Sequence, residues 1–131
     1  MARRISSVTY VVPDYDAGIA FFCECLGFDL IEDTLLSAEK RWVLVAPHQG
    51  SETRFLIAKA ASPSQTEAIG NQAGGRVGFI FETDDFDADF TRMQEMGVHF
   101  EEAPRSEAYG KVAVFQDPWG NRWDLIEFAD A

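Results

Sequence analysis

Cysteine and histidine, the side chains that most often hold transition metals, are scarce: the chain has two of each in 131 residues. Cys23 and Cys25 stand one residue apart on a segment with helical periodicity. That spacing points them to different sides and argues against a mutual disulfide. With no disulfide framework, the economical reading is a reduced, cytoplasmic protein. Positive charge is also short, with 11 Lys+Arg against 22 Asp+Glu and a net charge of −11. A nucleic-acid partner would need a basic face, and an anionic membrane surface would repel such a chain. No uninterrupted apolar run approaches the ~20 residues of a membrane span. The segment after Arg3 and Arg4 is broken by Ser6, Ser7, Thr9 and Pro13, so it reads as a strand and not as a signal peptide.

Apolar residues make up 47% and charged residues 25%, a globular composition. The length suits one domain, residues 1–131, and a chain of this mass buries about two-thirds of its surface on folding. A core is therefore available without disulfides or structural metal.

Residues 5–12 are β-branched and aromatic up to Pro13 and read as a strand. Asp14 is a helix N-cap, and Ile19, Phe22, Cys23 and Leu26 recur at i, i+3, i+4, i+7, one helical face. Gly27 occupies the left-handed C-cap position. Strands follow over 28–32, 41–46 and 54–58. Residues 61–75 form a connector. In it Ser62, Pro63 and Gln65 predict a short helix that stops at Gly70.

The same order then recurs. A strand over 76–81 leads to Asp85, to the stripe Phe86, Phe90 and Met93, and to Gly97; strands over 98–101, 112–116 and 122–128 complete it. Asp14 to Asp85 is an offset of 71 and Gly27 to Gly97 of 70, so the second helix region is one residue shorter. The fold class is α+β. Two βαβββ modules stand in tandem, 5–60 and 76–128, and the period is too long for a solenoid.

A duplicated βαβββ unit carrying VVPDYDAGIAFF, CLGFDLIED, RVGFIFETDDFD, MGVHFEE and DPWGNRWDLIEF resembles the vicinal oxygen chelate superfamily of glyoxalases, bleomycin-resistance proteins and extradiol dioxygenases. Stretches such as RWVLVAP, IGNQAGGRV and YGKVAVFQDPWGNRWDL are similar to a bacterial glyoxalase-like branch. The resemblance covers about residues 5–128. It implies that the modules curl their sheets into a cup, that the chain pairs as a homodimer, and that any divalent metal sits on the first and last strand of each module. Counting from the capping aspartates places the first-strand positions at Ser7 and Gly78. The last-strand positions fall at Asp124 and near Leu56. Gly and Leu carry no donor, neutral Ser is a poor ligand, and one carboxylate does not hold a first-row ion against water. No metal or other cofactor is therefore expected, which counts against the superfamily's Lewis-acid chemistry.

Other constellations are weaker. Asp85, Asp87 and Asp89 alternate like a calcium loop, but Phe90 and Met96 stand where that loop needs Gly and Glu. They suit a helix's first turn. His48 and His99 have no local partner at metal spacing. Gly70, Gly74 and Gly75 lack the ending of a phosphate loop.

Asp124 is the candidate catalytic residue, as a general base or as an anchor for a polar ligand; a structural pair with Arg76 or Arg122, which share its parity, is the plainer alternative. Thr9 joins Ser7 on the first strand. Aromatic residues Trp42, Trp119, Trp123, Tyr109, Phe79, Phe81 and Phe115 cluster on the expected cup strands, where Trp42, Tyr109 and Phe115 are candidates to line a small-molecule pocket. The polar loop 102–111 is a candidate lid, with Arg105 and Tyr109 reaching over a ligand.

The expected function is metal-free binding of a small molecule, by sequestration or sensing. An acidic protein suits cationic ligands better, although local arginines can invert that. The alternative is an enzyme, a lyase or isomerase of the lactoylglutathione-lyase-like type, either using metal held by non-standard ligands or using Asp124 without metal.

Overall fold

The computed structural model describes residues 2–130, and the chain divides between Ile69 and Gly70 into two compact units. In the first, β1 (Ser7–Val12) is followed by α1 (Tyr15–Ala20), a π-turn over Phe21–Cys25, then β2 (Asp29–Leu35), β3 (Arg41–Ala46), β4 (Arg54–Lys59) and α2 (Pro63–Ala68). The strand order is β1-β4-β3-β2, parallel between β1 and β4 and antiparallel elsewhere. The second unit holds β5 (Val77–Glu82), α3 (Phe86–Glu95), β6 (His99–Phe100), β7 (Arg105–Glu107), β8 (Gly110–Gln116) and β9 (Arg122–Phe128). Its order is β5-β9-β8-β6, with β7 also paired to β8. No helix is long and apolar enough to cross a membrane among the described residues.

The helix boundaries follow from capping chemistry. The Asp14 carboxylate accepts from the Ala17 N–H at 2.9 Å, and Asp85 accepts from Ala88 at 3.2 Å. Ser62 accepts from the Gln65 N–H, and the Gln65 side chain accepts from Ala61, which starts α2. Gly27 and Gly97 close α1's π-turn and α3 with φ of 73° and 84°. The residue by which the first helix region exceeds the second is absorbed in the π-turn, where Leu26 N–H bonds Phe21 five residues back. A one-residue frame shift follows. Tyr15, Gly18, Phe21, Phe22 and Leu26 are buried, while Ile19 and Cys23, expected on the core face, are half-buried. Both cysteines are free thiols.

Each sheet buries one face under its helix. In the first unit Tyr10 packs edge-on to Phe22 at 4.9 Å, and Phe55 meets both rings at 5.4 Å. Val43, Val45 and Ile57 complete that core. In the second, ring contacts run from Phe86 through Phe90, Phe100, Phe115 and Trp123 to Phe79 at centroid spacings of 4.5–5.8 Å. Phe115 is 0% exposed and therefore belongs to this core instead of lining a site. Phe79, Phe81 and Trp123 share that face.

Candidate functional site

Strand alternation turns one face of each sheet away from its helix. In the first unit, Thr9, Leu56, Leu44 and Glu32 lie in register across all four strands on that face, and Trp42 stands beside Thr34. At the end of the sheet where β3 begins and β4 stops lies a groove of about 800 Å³. Thr9, Trp42 and Leu56, three of the expected ligand-binding residues, line it. The turn Ser37–Arg41 flanks one side, and Lys59–Ala61 with Gln65 flanks the other. The volume suits a drug-sized organic molecule. Trp42 is 38% exposed, an unusual state for an indole and one that offers a flat apolar surface to a ligand. Ser7 sits in register with Arg54 at the strand's other end and is not part of the groove.

The groove residues that sequence reasoning missed are Tyr15, Lys40, Arg41, Lys59 and Gln65. Arg41 fixes the wall. It donates to Asp33 at 2.6 and 3.1 Å and to Asp16 at 2.9 Å, and its guanidinium lies 5.2 Å from the Tyr15 ring centroid. That arginine holds the Asp33 carboxyl below its usual range. No periodic signal marks these residues, because the groove forms only when a turn and a helix lead-in converge at a strand end.

In the second unit, Asp124 lies between Val114 and Ile80 on the face opposite the helix. Burial pushes its carboxyl above the ordinary aspartate range; Arg105 and Arg122 oppose the rise and Glu102 adds to it. Among the described residues the Asp124 carboxylate has no hydrogen bond or ion pair. The expected pair with Arg76 or Arg122 is not formed, and Arg122, like the nearby Arg105, is satisfied elsewhere. Arg122 grips Glu101 through two bonds of 2.8 and 2.9 Å and donates to the Gly75 carbonyl at 3.2 Å. Arg105 is held by Glu102, Glu107 and the Tyr109 hydroxyl.

The segment expected to be a lid is therefore a pinned hairpin. β7 pairs with β8, and Glu102 also accepts from the Val114 N–H at 2.9 Å. Tyr109 is 49% exposed beside that hairpin's turn. Arg76, Gly78 and Arg122 come together around a crevice of about 10 Å³, room for roughly one water. Gly78 falls at a break in the β5–β9 register, so Ile80 and not Gly78 stands beside Asp124. Asp117 shapes the nearby turn. Its buried carboxylate accepts from the N–H groups of Trp119, Gly120 and Asn121 at 2.8–2.9 Å.

The superfamily's metal positions fit an ion poorly in each unit. Ser7 and Leu56 offer one hydroxyl, and Gly78 and Asp124 offer one carboxylate. Among the described residues no three His, Cys, Asp or Glu side chains gather where they would hold an ion.

Comparisons with known proteins agree with this architecture. The family model described as Glyoxalase/Bleomycin resistance protein/Dioxygenase superfamily matches residues 4–125. An uncharacterized protein of Shewanella frigidimarina (strain NCIMB 400) is 47% identical over 131 residues, covering 99% of this chain and 97% of its own. The crystal structure of UcmS2 is 30% identical with a TM-score of 0.80, covering 96% of this chain and 98% of its own. That of TnmS3, an antibiotic binding protein from Streptomyces sp. CB03234, is 30% identical with a TM-score of 0.76, covering 98% of each chain.

Proposed function

Because the chain belongs to the glyoxalase/bleomycin-resistance/dioxygenase superfamily, we propose that it binds an organic small molecule in the groove beside Trp42, with no resident metal ion. The observation that carries this reading is the groove itself: about 800 Å³, with a half-exposed indole and a polar rim. The likeness to an antibiotic binding protein at 30% identity supports the same class of ligand. Binding of this kind serves sequestration or sensing and needs no transformation of the ligand. Homodimer formation and residence in the cytoplasm belong to the same proposal.

Thermal melting in the presence of EDTA, against a panel of aromatic metabolites and antibiotics that includes bleomycin, tests it. The expected result is a raised melting temperature with a subset of the panel and its loss in Trp42→Ala. A panel without effect, together with strong stabilisation by zinc or nickel when EDTA is left out, contradicts it.

A second reading, a lyase or isomerase, is favoured by Asp124 alone. A half-buried carboxylate with a raised pKa and, among the described residues, no hydrogen bond or ion pair is poised to take a proton. Turnover by the wild type that vanishes in Asp124→Asn, with binding retained, would establish that reading. Turnover dependent on an added divalent ion would point instead to metal held by non-standard ligands.

A further inference from the structure

The net charge of −11 suggests a cationic ligand, but the ionic side chains that line the groove are mostly cations. Its ionic side chains are Glu39, Lys40, Arg41 and Lys59. Arg41 is outweighed by its two partners, Asp33 and Asp16, so any positive excess of the lining rests on the lysines. The remaining set is two lysines against one glutamate. Neither lysine's ammonium group has a hydrogen bond or ion pair among the described residues. Elsewhere Arg92, Arg105, Lys111 and Arg122 each have a carboxylate within 3.1 Å, whereas Arg54 and Arg76 share the lysines' lack of one among the described residues. What sets Lys40 and Lys59 apart is that both line one groove in a chain with twice as many acids as bases.

Their position follows from strand register. β3 and β4 are antiparallel and pair Val43 with Ile57, so the start of β3 and the end of β4 lie at the same edge. Lys40 directly precedes β3 and Lys59 ends β4. Both therefore stand at the rim of the groove, Lys40 with the strand parity of Trp42 and Lys59 with that of Ile57.

Resting on the groove reading above, we infer that the ligand is an aromatic anion: a flat apolar body on Trp42 with a carboxylate, sulfonate or similar acid turned toward Lys40 and Lys59. The lysines attract the acid group from solution and fix its direction, and the indole supplies the apolar contact. Because the rim is exposed, the attraction weakens as salt rises.

Two fluorescent probes that share one aromatic skeleton test the inference: 1-anilinonaphthalene-8-sulfonate, which is anionic, and N-phenyl-1-naphthylamine, which lacks the sulfonate. The anionic probe is expected to bind the full chain more tightly at low salt. The double variant Lys40→Gln/Lys59→Gln is expected to weaken it on the order of tenfold and to flatten its salt dependence. The same change should leave the neutral probe unmoved. Glu39→Gln should tighten the anionic probe, a gain that a damaged fold does not produce. Trp42→Ala should weaken both probes. Equal binding of the two probes, or a double variant without effect on the anionic one, overturns the charge assignment and leaves the groove standing. Insensitivity of both probes to Trp42→Ala overturns the groove reading and this inference with it.

Discussion

Asp124 is a half-buried carboxylate between Val114 and Ile80 with no hydrogen bond or ion pair among the described residues. Its folded-state pKa is raised, first by burial. The folded chain therefore holds this proton more tightly than the unfolded chain does. Its contribution to stability is present below the ordinary aspartate pKa and is lost as pH rises through the folded value. Asp124→Asn removes that loss. Thermal melts of both proteins from acidic to neutral pH are expected to show the variant at least as stable near pH 7, with its advantage shrinking toward acid. A variant clearly less stable at neutral pH would contradict the account. Asp33 and Glu101 act in the opposite sense: Arg41 and Arg122 lower their pKa values, so their contribution fades as pH falls. Glycine at position 70 is constrained more tightly still. Its φ is 73°, and an added Cβ would lie 1.8 Å from the Trp119 carbonyl oxygen. Gly70→Ala is expected to cost more than about 2 kcal/mol in urea unfolding. A loss below about 0.5 kcal/mol would show that this turn relaxes freely.

At the scale of elements, the two modules differ most where the repeat offset slips from 71 to 70. The surplus residue became the π-turn Phe21–Cys25. Glu24 is exposed within it, so deleting Glu24 should restore an ordinary helical frame ending at the glycine cap. The expected loss of stability is within about 1 kcal/mol, whereas deleting the exposed Glu95 from α3, which has no surplus, should cost several times more. Equal losses in urea unfolding would contradict that assignment. The same comparison explains what was readable in advance. Asp14, Asp85, Gly27 and Gly97 act on their own neighbours, so their caps and the strand order around them were legible. The π-turn's effect on burial was not, because a 3.6-residue period hides a one-residue widening. β7 was also hidden. Arg105–Glu107 is polar throughout, and it is held as a strand by Glu102 and by pairing to β8.

At the scale of the whole molecule, composition gave a net charge but no map of it. Leu56 was placed by family likeness and Trp42 by the density of aromatics on the expected strands, and both line the groove with Thr9. Lys40 and Lys59 were not, because their meeting depends on how β3 and β4 pair and where each strand ends. Phe115 misled because an aromatic on a candidate site strand looks alike from either face until register is known. The expectation of no resident metal rests on residue types alone, since Ser7, Leu56, Gly78 and Asp124 offer one hydroxyl and one carboxylate between them. Elemental analysis of the protein purified without chelator tests that expectation most directly. The account predicts zinc, nickel, manganese and iron far below one ion per chain, unchanged in Asp124→Asn. A stoichiometric ion that disappears in that variant would contradict it.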